Sequence, residues 1–165
     1  MKTLYLIGGP MGVGKTAAGQ ALKRLLPRSV FLDGDWCWDA NPFTVTEETR
    51  AMVMNNIACL LGSFLRCSAY EHVIFVWVMH RQDIMNELLS RLDTADCRVK
   101  RISLLCDAPT LCARLQGDVD AGLRQAEVIA RSLDYLPLYD ALDTEKIDTT
   151  GLSPEEAARR IGGMP

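Results

Sequence analysis

Gly9, Gly12, Gly14, Lys15 and Thr16 have the types and spacing to hold a phosphate, reading G-x-x-x-x-G-K-T from Gly9 to Thr16. The glycines let the backbone curl into a concave loop with its N–H groups pointing inward. Pro10, Met11 and Val13 fill out that loop, and Ala17 continues into a helix-competent run. The new helix adds unpaired N–H groups and the positive end of its dipole. Lys15 brings a cation to the outer phosphates, and the Thr16 hydroxyl is placed to hold Mg²⁺. A strand before the loop and a helix after it are the context in which this pattern, a Walker A motif, binds a nucleoside triphosphate.

Two acids come next. Asp33 and Asp35 close a short apolar run, and in an extended chain residues two apart project to the same side. The C-terminal ends of strands line the ligand crevice of an open parallel sheet. One carboxylate is expected to hold Mg²⁺ through water, and the other to take the proton from an attacking hydroxyl. A solvated Asp-Gly turn is the competing reading. Asp107 ends a later apolar run and mimics a metal-binding acid, although Asp107-Ala108-Pro109-Thr110 also makes a good helix start. The sequence leaves the second metal contact open between Asp33 and Asp107.

Trp36 and Trp38 follow, and either wall an acceptor pocket or plug the core where the loop turns back. His80 is expected at the rim of the site, as a substrate contact or as a structural or capping histidine. Arg114 and Arg124 bracket a glycine-bounded segment that reads as a lid over about 117–124. Closing such a lid excludes water and carries arginine onto phosphates. Arg124 and Arg131 are seven apart and share a helix face if the helix starts early enough, which makes Arg131 a further substrate candidate.

The elements that must position these residues alternate. Residues 2–7 read as a strand, and Lys15 begins a helix with the stripe Ala18, Ala21, Leu22 and Leu25, stopped by Pro27. Ser29 to Asp33 is a second strand. Thr46 followed by two acids starts a long helix to about Ala69, with Val53, Ile57, Leu60, Leu61 and Phe64 as its buried stripe. His72 to Met79 is a continuous apolar run, which suits a strand covered on both faces. A helix from Asp83 to Arg91, a strand from Arg98 to Cys106 and a helix from Leu111 to Gln116 come next. A further helix runs from Ala126 to Tyr139, perturbed by Pro137. Lys146 to Thr149 is a last strand, and Ser153-Pro154-Glu155-Glu156 starts a terminal helix. The alternation makes the class a doubly wound α/β sheet, in one domain over 1–165.

Bulk properties narrow the partners. Lys and Arg number 18 against 21 Asp and Glu, a net charge of −3, which argues against broad binding to a nucleic acid polymer or to an anionic membrane. No apolar run reaches spanning length and the N-terminus enters a strand at once, so neither signal peptide nor anchor is expected and the location is expected to be cytoplasmic. Six cysteines show no C-x-x-C pair, and most lie in apolar segments, so buried free thiols are expected. Oligomeric state is not legible.

With the motif at Gly9–Thr16, Asp33-x-Asp35, the arginine-flanked lid and the late Ile147-Asp148-Thr149 strand in view, the chain resembles the small P-loop kinases. These are the shikimate kinase, gluconate kinase and chloramphenicol phosphotransferase group. The resemblance spans nearly the whole chain. It implies a three-layer fold, a five-stranded parallel sheet in the order 2-3-1-4-5 with helices on both faces, and ATP with Mg²⁺. It implies that Asp33 serves the metal and Asp35 meets the acceptor hydroxyl as base. Arg114 would stack on adenine, Arg124 would reach the phosphates from the lid, and Asp148 and Thr149 would border adenine. The glycine-rich segment that follows strand three in shikimate kinase is absent, replaced by Val78-Met79-His80-Arg81, so the acceptor is not expected to be shikimate.

The function expected is transfer of the γ-phosphate of MgATP to a hydroxyl of a small molecule, with Asp35, Lys15 and Arg124 carrying the chemistry. A nucleoside or nucleotide kinase is the first alternative, with Arg50 and Arg66 as candidates for a second phosphate and Trp36 for stacking a base. An ATP-binding module without phosphotransfer is the alternative of another class.

Overall fold

Alternate residues of the central strand face opposite layers, and this sets the architecture. In the computed structural model, which describes residues 1–163, β1 (Lys2–Gly8) lies in the middle of a five-stranded sheet. Its Tyr5 and Ile7 enter one buried cluster and its Leu4 and Leu6 the other. The order is β2 (Ser29–Asp33), β3 (His72–Val76), β1, β4 (Cys97–Leu105), β5 (Glu145–Asp148), as expected. Every pairing is parallel, with Ile7 beside Val76 on one side and Ile102 on the other.

One face carries α1 (Lys15–Leu25), α4 (Ala108–Asp120), α5 (Glu127–Tyr135) and α6 (Pro154–Gly162), through Ala18, Leu22, Leu111, Leu115, Val128 and Ile161. The other carries α2 (Glu47–Arg66) and α3 (Gln82–Ser90), through Val53, Ile57, Leu61, Met85 and Leu88. This is the three-layer P-loop fold. Thr46 opens α2 with a capping box and Ser153 opens α6 with another, each satisfying orphan N–H groups. Among the described residues no helix is long and apolar enough to cross a membrane.

Several boundaries differ from the pattern reading. α4 continues to Asp120, so Gly117 is helical and the non-helical stretch of the expected lid begins only at Ala121. The side chain of Asp107 accepts from the Thr110 N–H and Pro109 sits in the first turn, a strong start that carries the helix past one glycine. α5 begins at Glu127, so Arg124 lies outside it and shares no helix face with Arg131. β3 ends at Val76, because the chain leaves the sheet there and Met79 adopts a left-handed φ of 34°. Leu25 and Leu60 are exposed, at the edges of their stripes rather than within them. Of the six cysteines only Cys106 is buried; Cys59 and Cys67 are exposed and the other three half-buried, all as free thiols.

Candidate active site

The loop between β1 and α1 is stitched from its own atoms. Gly9, Gly12 and Gly14 all have positive φ, a conformation that L side chains rarely adopt. A Cβ on Gly14, at φ 100°, would meet nothing within 4 Å, so the constraint there is conformational and the loop's hollow is open. The Lys15 ammonium reaches back and donates to the carbonyls of Gly9 and Pro10, at 2.8 Å each. Burial lowers its pKa to about 8; Asp35 and then Asp33 pull it back up, and Arg124 adds to the lowering. A lysine so placed, short of solvent and among like and unlike charges, is prepared for a multiply charged anion.

The Thr16 hydroxyl donates to Asp33 Oδ2 at 2.6 Å. Asp33 is the buried last residue of β2, and its other oxygen accepts from the Asp35 N–H at 3.0 Å. That bond opens a 3₁₀ turn over Gly34–Cys37, so Asp35 is not two places along a strand from Asp33. The two carboxylates nonetheless share one neighbourhood: burial and then Asp33 raise the Asp35 pKa. Lys15, Arg124 and a hydrogen bond from Trp77 hold it down in part. Trp77 packs its ring on Gly34, where an added Cβ would come within 2.5 Å of it. The structure therefore brings Lys15, Thr16, Asp33, Asp35 and Arg124 into one electrostatic cluster. Arg124 is steadied there by its Nε, which donates to Asp118 at 3.0 Å.

Arg114 links three pieces of chain. Its guanidinium donates to the Val13 carbonyl at 3.0 Å, to Thr149 Oγ1 at 3.2 Å and to the Thr149 carbonyl at 3.1 Å. In-plane donors are spent while the flat faces of a guanidinium remain suited to stacking. Thr149 is buried and bonded to the Leu105 carbonyl through both its N–H and its hydroxyl. Asp148 is exposed, and its carboxylate accepts from the Thr150 N–H, which lowers its pKa. Asp107 caps α4 and is likewise lowered, by its bonds to Thr110, so this acid is engaged in holding a helix end.

The remaining candidates divide. His80 stacks on Tyr135 with centroids 4.3 Å apart, and its Nδ1 is buried without a hydrogen-bond partner among the described residues. Burial, then Arg81, lowers its pKa, opposed by Asp83. Trp36 is 59% exposed and meets Phe31 edge-on at 5.5 Å, whereas Trp38 is half-buried against Phe43. One tryptophan of the loop thus packs inward and the other stands open. Arg131 is exposed on α5, a helix that does not include Arg124. Arg66 lines a cavity with Met1, Lys2, Asp93 and Cys97, at the edge of the sheet where β1 begins, so it cannot reach an acceptor at the opposite edge.

Three residues escaped the sequence reading. The Ser132 hydroxyl, fully buried, donates to the Met11 carbonyl at 2.6 Å and ties α5 to the loop. Its signal was a polar residue on an apolar stripe, four after Val128. Tyr139 is fully buried and donates to the Val78 carbonyl, behind the loop. Trp77 was hidden in an apolar run that read as strand.

A family profile described as an AAA domain matches residues 6–130. The tunicamycin resistance protein of Deinococcus radiodurans has a similar structure, at TM-score 0.73 and 21% identity over 100% of this chain and 98% of its own. A gluconokinase of Sinorhizobium meliloti 1021 follows at TM-score 0.68 and 18% identity, covering 96% of this chain and 89% of its own. A shikimate kinase of Acinetobacter baumannii, solved in complex with shikimate, reaches TM-score 0.60 and 22% identity over 98% and 90%. At these identities the likeness is one of fold. No curated protein matches the chain.

Proposed function

The chain belongs to the AAA domain family, and from that premise we propose that it moves the γ-phosphate of MgATP to a hydroxyl of a small molecule. The observation that carries the reading is the convergence of Asp35 with Lys15 and Arg124 beside the Thr16–Asp33 pair. The acceptor oxygen bonds to the γ-phosphorus while the bridging P–O bond to ADP breaks. Asp35, made more basic than an ordinary carboxylate, takes the hydroxyl proton. Lys15 and Arg124 balance charge on the phosphoryl oxygens.

Thr16 and Asp33 present two hard oxygens 2.6 Å apart, a donor set that fits Mg²⁺. When bound, Mg²⁺ neutralises phosphate charge. Asp107 is spoken for by its helix cap, so Asp33 is the acid assigned to the metal. The backbone of Gly9 to Ala17 cradles the phosphates, and Arg114, Asp148 and Thr149 border adenine. The whole chain, 1–165, acts as one domain, with the stretch around 117–124 as its lid, although the α4 end within it is helical. Hydroxylated antibiotics join sugars and sugar acids among the acceptors to test, a choice that likeness in fold to a tunicamycin resistance protein supports.

The test is ADP release from MgATP, wild type beside Asp35→Asn, with and without a panel of sugars, sugar acids, nucleosides, nucleotides and antibiotics. Stimulation by one class, reduced about 10²-fold or more in the variant with ATP still bound, is expected. Near-normal turnover in the variant removes Asp35 as the base. ATP binding with no stimulation by any class turns the reading toward a binding module.

A further inference from the structure

Asp33-Gly34-Asp35 sets a glycine between the acid assigned to the metal and the acid assigned to the acceptor hydroxyl. Gly34 is not among the glycines with positive φ, so backbone conformation does not require it. What it leaves is space. A Cβ there would come within 2.5 Å of Trp77 Cγ and 2.6 Å of Cδ1, on the side of the indole that carries the N–H. The next side chain along, that of Asp35, accepts from this N–H. The Asp35 backbone is fixed separately, its own N–H donating to Asp33 Oδ1 at 3.0 Å. One neighbour therefore holds the main chain of Asp35 and another its carboxylate.

Trp77 is in turn tied to the chain that leads into the phosphate loop. Its backbone N–H donates to the Ile7 carbonyl at 3.1 Å. The carbonyl of the following residue, Val78, accepts from the Gly9 N–H at 3.5 Å and from the buried Tyr139 hydroxyl. The indole meets the buried Phe75 ring with centroids 6.5 Å apart. Trp77 thus spans from the loop, through its backbone, to Asp35, through its side chain. An indole N–H donates and cannot accept, so it orients a carboxylate without competing for the acceptor's proton.

Resting on the reading in which Asp35 is the base, we propose that Trp77 is its positioning residue: the indole holds the Asp35 carboxylate at a set place relative to the phosphate loop, in room that Gly34 leaves for it. Lys15 and Arg124 then remain for the phosphate oxygens.

One test needs no acceptor. Three indole N–H signals are expected in the ¹H–¹⁵N spectrum, one for each tryptophan, and Trp77→Phe identifies the signal of Trp77. Its hydrogen is expected to exchange with water about tenfold or more slowly than that of exposed Trp36, and to lose that protection in Asp35→Ala and in Gly34→Ala. Protection that is absent, or that survives both substitutions, overturns the proposal. The second test is kinetic, with the acceptor class that stimulates ADP release. Trp77→Phe keeps a flat ring and loses the donor; Gly34→Ala keeps the donor and fills its space. Each is expected to lower kcat about 10- to 100-fold with the KM for ATP unchanged. In an Asp35→Asn background neither is expected to lower it further, because a group acting only through Asp35 has nothing left to act on. Losses that add in that background, or near-normal kcat in both single variants, overturn the proposal. If Trp77→Phe does not fold, Gly34→Ala decides. Protection that depends on Asp35, with no acceptor turned over, upholds the positioning and counts against phosphotransfer; turnover that depends on Asp35 and not on Trp77 does the reverse.

Discussion

The two ends of the candidate site are built on different plans. At the phosphate end, backbone does the holding. Lys15 is bonded to Gly9 and Pro10, Arg114 to Val13 and Thr149, Ser132 to Met11, and Thr16 to Asp33. The charged and hydroxyl side chains there have protein partners before any nucleotide arrives, while among the described residues the N–H groups of Gly12 and Gly14 in the loop stay free to meet phosphate. At the acceptor end, Asp35 stands in a short 3₁₀ turn, with Trp77 bonded to it, exposed Trp36 next to it and a loop to Thr46 carrying acids only. A preorganised polar cradle suits a ligand of fixed chemistry, since its groups need no reorganisation to meet charge. An aromatic, loop-borne wall suits a ligand whose identity differs between relatives that share a fold.

The comparison makes the phosphate end the sensitive one. Lys15→Met removes the cation and both bonds to the loop carbonyls. Turnover is expected to fall by about 10²–10³-fold, with nucleotide affinity falling too. Trp36→Ala, which removes the exposed ring next to Asp35, is expected to change acceptor affinity alone, by about tenfold. Steady-state kinetics with ATP and acceptor varied in turn check this. A Lys15→Met enzyme that loses less than Trp36→Ala would show that the cradle is not where the catalytic sensitivity lies.

The same division decides what was readable in advance. Gly9 to Thr16 was legible because its work is done by φ values and by N–H groups, and both constrain residue type at fixed spacing. The sheet order followed from alternation and from the loop motif. Asp33 was legible as a strand-end acid, but the turn at Gly34–Cys37 was not, because it depends on Asp33 accepting from the Asp35 N–H and on Trp77 lying flat on Gly34. Such a contact joins residues more than forty positions apart and leaves no periodic trace. The shared face of Arg124 and Arg131 hung on a helix start that was not legible: α5 has no side-chain cap at Ala126, so its first residue could not be located from pattern. Ser132 and Tyr139 act through carbonyls of Met11 and Val78, and a bond to a carbonyl asks nothing of the accepting residue's type.

A smaller effect sharpens the comparison from within the cradle. Ser132→Ala deletes a buried donor and leaves the Met11 carbonyl short of its 2.6 Å partner. The expected loss of stability is about 1–3 kcal/mol. In a chain of 165 residues this lowers the melting temperature by about 2–4 °C for each kcal/mol. Differential scanning calorimetry measures it directly. Since the loop is tied to α5 through this bond, MgADP is expected to recover part of the loss. An unchanged melting temperature would mean that the Met11 carbonyl finds another donor at no cost, and that the cradle is looser than its bonds suggest.

The smallest effect is a fraction of a proton. Lys15 titrates at about 8 in the nucleotide-free protein, below the ordinary lysine value of 10.5, chiefly because it is buried. Between those values the unfolded chain binds more protons than the folded one, so this residue makes the nucleotide-free protein more stable as pH rises through 8 toward 10.5. Below pH 8 both states carry the proton and its contribution no longer changes. Phosphate oxygens reverse the preference by favouring the ammonium, so binding at pH 8 is expected to take up about half a proton, less at pH 7 and more at pH 9. Titrating MgADP in two buffers of different ionisation enthalpy gives the number. Lys15→Arg is the control: its guanidinium stays charged over the whole range, and the uptake is expected to vanish while some affinity remains. Uptake that persists in Lys15→Arg would assign the proton to another group. No uptake in the wild type would mean that Lys15 keeps its charge in the free loop, and that the cradle, like the acceptor wall, waits for its ligand without adjusting to it.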